Sequence, residues 1–159
     1  GGSYGGYMTM AAMTFTPDEF KVGVNIFGVT NWIRTLKSIP SYWEASRKAL
    51  YDELGDPYSS DSIRLKKISP LFHASNVKNP VMVLQGANDP RVLQVESDEI
   101  VDALQKNEIP VEYVVFEDEG HGFRKKENQL EGYRKIKNFL DLYLKEETPV
   151  IEVTKKMID

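Results

Sequence analysis

Between Val81 and Leu84 the chain runs Val-Met-Val-Leu with no polar residue. Asn79-Pro80 precedes this run and the turn-rich stretch Gln85-Gly86-Ala87-Asn88-Asp89-Pro90 follows it. A short apolar run closed at both ends by turn residues predicts a strand buried on both faces. Phe20–Phe27 (FKVGVNIF) and Pro110–Phe116 (PVEYVVF) read as two more strands. Around them the period is helical. Glu96–Lys106 puts Ile100, Val101 and Leu104 on one side, and Gln129–Leu144 spaces Tyr133, Ile136, Leu140 and Tyr143 by threes and fours. Tyr7–Phe15 (YMTMAAMTF) predicts a buried helix, broken by Thr16-Pro17-Asp18, with Met8, Met10 and Met13 as core.

The middle of the chain carries punctuation rather than long periods. Ser41-Tyr42-Trp43-Glu44 matches a capping box, which predicts a helix running to Leu54 and stopped by Gly55. A short helix is expected over 62–68 and a single helical turn through Leu71–Ala74, while Gly28–Ile39 is a connection whose form the pattern leaves open. Glu117–Gly122 reads as an acidic, glycine-bearing loop. Strands alternating with helices imply an α/β fold with a parallel sheet and right-handed crossovers. The expected domain covers residues 1–146, and residues 147–159, without periodicity, are expected to form a C-terminal tail.

Composition narrows the function classes. The chain has 159 residues, 41% hydrophobic and 28% charged, enough for one domain with its own core. A net charge of −4 with no basic block argues against a nucleic-acid partner. No apolar run approaches the ~18–20 residues that span a bilayer, so no membrane partner is expected. The absence of cysteine excludes disulfides, a thiol nucleophile and thiolate metal ligands. No signal peptide is visible, and a cytoplasmic location is expected ahead of a periplasmic or secreted one.

Ligands of an open parallel sheet gather at the carboxyl ends of its strands. Two polar residues lie just past predicted strand ends: Asp89 after Val81–Leu84 and His121 after Pro110–Phe116. The third candidate is Ser3, in Gly1-Gly2-Ser3-Tyr4-Gly5, which fits G-x-S-x-G. In a nucleophile elbow the serine sits on a strained strand-to-helix turn, and its neighbours must be small; Gly1, Gly5 and Gly6 meet that demand. The Tyr4 N–H would then be one oxyanion donor. Of the two histidines, His73 precedes Asp89 and His121 follows it, and only the second matches the order Ser, Asp, His. Gly120 and Gly122 leave the His121 loop free to turn the imidazole inward. His73 is expected to be a packing residue. Trp32 and Trp43 are open between lining a cleft and packing, and Arg91 between a substrate carboxylate and a surface ion pair. Asp118 and Glu119 are expected only to solvate their loop.

These stretches resemble the prolyl oligopeptidase family of serine peptidases, in its acylaminoacyl-peptidase and dipeptidyl-aminopeptidase branch. GGSYGGYMT at Gly1–Thr9 is similar to its nucleophile motif, ISPLFHASNVKNPVMVLQGANDPRV at Ile68–Val92 to the segment of its acidic residue, and FEDEGHGF at Phe116–Phe123 to its histidine motif. The resemblance extends to about Leu144. It implies the C-terminal portion of an α/β-hydrolase fold, with Ser3 as nucleophile, Asp89 as acid, His121 as base and no metal or organic cofactor. It implies hydrolysis of short peptides through an acyl-enzyme. The family's early hydrolase strands, β-propeller and upstream oxyanion tyrosine have no counterpart in these residues. The chain is therefore expected to be the C-terminal piece of a longer enzyme, with the missing N-terminal part as one partner and self-association along an exposed sheet edge as another. Ser3, at a chain end, is expected not to be held near His121, and activity of the chain alone to be weak or nil. Two other readings stay open: an esterase or other acyl hydrolase, and a non-catalytic fragment or assembly module.

Overall fold

Three strands form the centre of the computed structural model, which describes residues 1–145. Gly23–Ile26 (β1), Val81–Gly86 (β2) and Val111–Phe116 (β3) pair in the order β1-β2-β3, and both pairings are parallel. All six residues of β2 are buried, as its unbroken apolar run requires of a strand covered on both faces. Its side chains alternate. Val81 and Val83 join Met10, Met13, Ile100 and Leu104 on one face, while Met82 and Leu84 join Val114, Phe116 and Phe139 on the other. The first face is covered by Tyr4–Phe15 (α1), by Gln94–Lys106 (α5) and by the 3-10 stretch Pro70–Asn76; Lys126–Leu144 (α6) covers the second. Trp32–Lys37 (α2), Arg47–Leu54 (α3) and Ser62–Ile68 (α4) build a smaller helical layer in the β1–β2 connection, around Val29, Trp32, Leu36, Leu65 and Val92.

Element types follow the sequence pattern, and several details differ from it. β1 is four residues long rather than eight. The 28–39 connection holds α2, capped by the Asn31 side chain accepting from the Arg34 N–H at 3.3 Å. The capping box does not form: Ser41–Ser46 is a 3-10 helix, and Glu44 pairs with Arg47 instead of reaching back. Gly55 does end α3, at φ 118°. Met8 is 52% exposed, so only Met10 and Met13 are core. On α6 the buried line runs through Gly132 and Phe139, with Ile136 and Leu140 beside it, and Tyr133 lies outside it at 69% exposure. His73 packs against Phe15, ring centroids 5.0 Å apart. The expected 147–159 tail lies outside the described residues. Among the described residues no helix is long and apolar enough to cross a membrane.

Residues 1–3 continue the sheet. The Gly1 amino group donates to Val24 O at 2.8 Å, Ile26 N–H to Gly1 O at 3.0 Å, and Ser3 N–H to Ile26 O at 2.9 Å. The outer edge of β1 is thus occupied by the chain's own first residues, at the end where the strand leads into the candidate site. Behind the elbow, α1 and the turn after β1 touch backbone to backbone. A Cβ on Gly6 would lie 2.6 Å from both Asn25 Oδ1 and Gly28 Cα. Gly6→Ala is therefore expected to destabilise by about 1–3 kcal/mol, as overpacking does, and a thermal melt several degrees lower checks it.

Candidate active site

Ser3 stands between the paired strand stub and α1, with φ 54° and ψ −119°. That left-handed backbone is rare outside glycine and is the strain expected of an elbow. Gly1 permits the turn, since a Cβ there would meet Gly5 O at 2.6 Å. Gly5 itself faces open space, so of the three glycines read as sterically required, Gly1 and Gly6 are and Gly5 is not. Tyr4 opens α1, where N–H groups have no intrahelical acceptor and the helix dipole favours negative charge. Its ring leans on Tyr7 and Trp32.

Asp89 is carried by the turn after β2. Its side chain is fully buried. Oδ1 accepts from the backbone N–H groups of Arg91 (2.8 Å) and Val92 (2.9 Å), which leaves Oδ2 for His121 Nδ1 at 2.7 Å. His121 Nε2 lies 2.8 Å from Ser3 Oγ. Asp89 as carboxylate is acceptor-only, so the assigned tautomer has Nδ1–H donating to Asp89 and Nε2 accepting from the Ser3 hydroxyl. The expectation that Ser3 drifts from His121 is corrected. The three backbone bonds of residues 1–3 to β1 tie the chain end down, and a tied end keeps its geometry.

The two loops that present Asp89 and His121 are locked together. Asn88 N–H donates to Glu119 O at 2.9 Å and the Asn88 side chain to Glu117 O at 2.7 Å. A Cβ on Gly86 would fall 2.3 Å from Gly120 O, so only glycine lets the loops meet. Gly122, at φ 118°, closes the tight turn around His121. Glu119 corrects another expectation. It is 4% exposed and accepts from the Arg124 and Lys125 N–H groups at 2.9 Å and from the Asn128 side chain at 2.8 Å. Desolvation works to raise its carboxyl, and these donors outweigh it and hold it below the usual range. Glu119 staples the histidine loop to the start of α6; Asp118, by contrast, is exposed and pairs with Lys125.

Beside Ser3 and His121 opens a cavity of about 320 Å³ with mainly apolar walls, among them Val29, Trp32, Leu36, Trp43 and Val92. Both tryptophans therefore line the cleft. Arg91 lies 4.8 Å above the Trp43 ring, a cation–π contact rather than the surface ion pair weighed for it. Among the described residues no cluster of three or more His, Asp or Glu is arranged to hold a metal ion.

The wall of the cavity rests on a residue the sequence reading passed over. Glu96 is 1% exposed, and its Oε2 accepts from the N–H groups of Thr30 (2.8 Å) and Asn31 (3.1 Å), while Oε1 accepts from the Thr35 hydroxyl. Burial raises its carboxyl above the ordinary value, with these bonds offsetting part of the effect. A folded value above the unfolded one gives stability that is full below the unfolded value and lost as pH rises through the folded one. In Glu96→Gln the amide oxygen can accept from the Thr30 and Asn31 N–H groups and the amide nitrogen can donate to the Thr35 hydroxyl, with no carboxyl left to ionise. This variant is expected to melt higher than the unchanged chain at pH 8, with the gap closing toward pH 4; equal melts at both pH values would count against this account.

Relatives place the chain in a family. The prolyl oligopeptidase family model matches residues 1–147. The chain is 49% identical over 150 residues to dipeptidyl peptidase family member 6 of Caenorhabditis elegans, covering 93% of the chain and 20% of that protein. It is 50% identical over 129 residues to dipeptidyl aminopeptidase BIII of Pseudoxanthomonas mexicana, covering 80% and 19%. Among solved structures, a Mycobacterium tuberculosis puromycin-hydrolyzing peptidase superposes with a TM-score of 0.81 at 31% identity, over 90% of the chain and 21% of that protein. The uncomplexed Pyrococcus horikoshii acylaminoacyl peptidase gives 0.79 at 25% identity, over 100% and 25%. The chain spans about a fifth of the length of the curated relatives it matches. With a parallel sheet, flanking helices and a family match over nearly all of its length, the chain belongs to the prolyl oligopeptidase family of peptidases, hydrolases of the α/β-hydrolase fold.

Proposed function

We propose that the chain carries the Ser-Asp-His machinery of a serine peptidase that cleaves short peptides through an acyl-enzyme. The observation that carries this is the relay Ser3 Oγ–His121 Nε2–His121 Nδ1–Asp89 Oδ2, with its two hydrogen bonds at 2.8 and 2.7 Å. His121 takes the hydroxyl proton as Ser3 Oγ attacks the carbonyl carbon, and Asp89 holds the imidazole in the required tautomer and stabilises its charged form. The Tyr4 N–H, at the positive end of α1, faces the developing oxyanion. His121 then protonates the leaving amine, and water, deprotonated by the same imidazole, releases the acid.

The apolar cavity beside Ser3 suits an apolar or aromatic side chain next to the scissile bond. The second oxyanion donor and the remaining substrate walls belong, on the family resemblance, to the part of the enzyme preceding Gly1. That part, the early hydrolase strands and propeller, is the expected partner, and association along the sheet edge is a further proposal. Turnover by the 159 residues alone is slow in this reading, because one missing oxyanion donor is worth about 2.7–4 kcal/mol of barrier.

Competition among short peptide anilides with Phe, Leu, Lys or Asp before the scissile bond tests the proposal. Phe and Leu substrates are expected to lead. Hydrolysis confined to esters would transfer the reading to an acyl esterase, and no hydrolysis of any substrate together with a serine inert to probes would leave a non-catalytic module.

A further inference from the structure

Phe27 is a bulky residue in the backbone region that favours glycine, with φ 41°. It follows β1 directly, and its N–H donates to Leu84 O at 2.7 Å. The turn that imposes this conformation is fixed independently. Asn25 Oδ1 accepts from the Gly28 N–H at 2.9 Å, and a Cβ on Gly28 would come within 2.4 Å of the Gly6 carbonyl carbon. Glycine at 27 would adopt the same turn without strain, so an aromatic residue there runs against local preference, the kind of conflict that collects at functional sites.

The ring reaches three parts of the site. Its centroid lies 4.7 Å from that of the His121 imidazole, tilted by 52°. It meets Phe123 edge-on at 5.5 Å, and Phe123 in turn leans on Phe116 at the end of β3. Its edge also borders the elbow, since a Cβ on Gly2 would stand 3.4 Å from Phe27 Cε2. The two hydrogen bonds of His121 grip its two nitrogens. Both act near the line joining those atoms, and neither opposes tilting of the ring about that line. A body pressed against the ring does.

We propose that Phe27 is a positioning residue for the base: its ring stops the His121 imidazole from tilting about its Nδ1–Nε2 line and keeps water from that side. This rests on the reading of His121 as base. The experiment compares the full chain with Phe27→Gly, Phe27→Tyr and Phe27→Leu. It reads the rate of fluorophosphonate adduct formation at Ser3 and the proton resonance of His121 Nδ1–H, assigned by its loss in His121→Gln.

Phe27→Gly relaxes the backbone but loses the packing of the ring on Phe123, so its melting temperature reads the balance of the two, while labelling is expected to slow by about tenfold or more, the scale of small misplacements of a catalytic group. Its Nδ1–H resonance is expected to broaden into solvent exchange, and Phe27→Tyr, which keeps the ring, to recover most of both signals. Labelling of Phe27→Gly within about twofold of the unchanged chain, with Nδ1–H equally sharp, overturns the proposal. Should Phe27→Gly melt lower, Phe27→Leu decides: slow labelling in a stable Leu variant supports positioning, and unchanged labelling overturns it. A chain that forms no Ser3 adduct ends the nucleophile reading instead. The Nδ1–H resonance still decides for Phe27 in that case, being lost in Phe27→Gly if the ring positions the imidazole and sharp in both if it does not.

Discussion

A fluorophosphonate probe is expected to add one adduct to the chain, at Ser3, and Ser3→Ala to remove it. The probe asks less of the protein than a peptide does. It carries its own electrophilic phosphorus and needs only a nucleophile with a base beside it. Ser3 Oγ already lies 2.8 Å from His121 Nε2, and the elbow that aims it is held by three backbone hydrogen bonds to β1. No other hydroxyl in the described residues is bonded to a histidine, so the labelling rate of the Ala variant is expected to fall by at least about a thousandfold. Intact mass before and after treatment reads the result. An adduct that survives Ser3→Ala would place the reactive residue elsewhere and end the assignment of Ser3.

Asp89→Asn is expected to lower the same labelling rate by about 10⁴-fold while the fold is kept, the scale of a base held in the wrong tautomer. The carboxylate does two separable things. Oδ1 receives the Arg91 and Val92 N–H groups and shapes the turn, and Oδ2 receives the proton on His121 Nδ1. An asparagine oxygen serves the turn equally well. Its amide nitrogen, facing Nδ1, donates where the carboxylate accepts. That drives the imidazole proton to Nε2, where it can no longer receive the proton of Ser3. A melting curve close to that of the unchanged chain, beside a collapsed labelling rate, is the expected pair of results. Equal loss of both would reduce Asp89 to a turn residue.

Ser3, Asp89 and His121 were legible as a group because the chemistry imposes an order, because Ser3 sits in G-x-S-x-G, and because the strands predicted at Val81–Leu84 and Pro110–Phe116 end just before Asp89 and His121. The run at Val81–Leu84 and the helical spacing in 96–106 were legible for a related reason: a strand or helix covered by neighbours shows its period in its own residues. The capping box at Ser41–Glu44 failed where local preference met a stronger local partner, since Arg47 takes the Glu44 carboxylate. α6 was legible from its spacing, but Tyr133, the first residue of that spacing, faces solvent, and Gly132, which meets Leu84 and Phe116, carries no hydrophobic signal in the sequence.

Glu96, Glu119 and Phe27 escape the sequence because no periodicity or motif around them marks what their side chains meet. Glu96 receives N–H groups more than sixty residues away. Glu119 sits among acidic neighbours and reads as solvated until three donors enclose it. The one available signal was Asn25, a polar residue inside an otherwise apolar strand, whose side chain builds the turn that holds Phe27 in the left-handed region.

The sequence by itself determined the three strands and the helices around them other than α2 and the 3-10 stretch at Ser41–Ser46, their α/β order and the identity of the three candidate catalytic residues, because periodicity, turn chemistry and motif order are written along the chain. The tertiary structure alone decided that the first three residues pair with β1, that the loops of Asp89 and His121 meet at Gly86 and Gly120, and that an apolar cavity opens beside Ser3. Those facts depend on contacts between segments distant in sequence, where backbone pairing and close packing act between partners that no local pattern names.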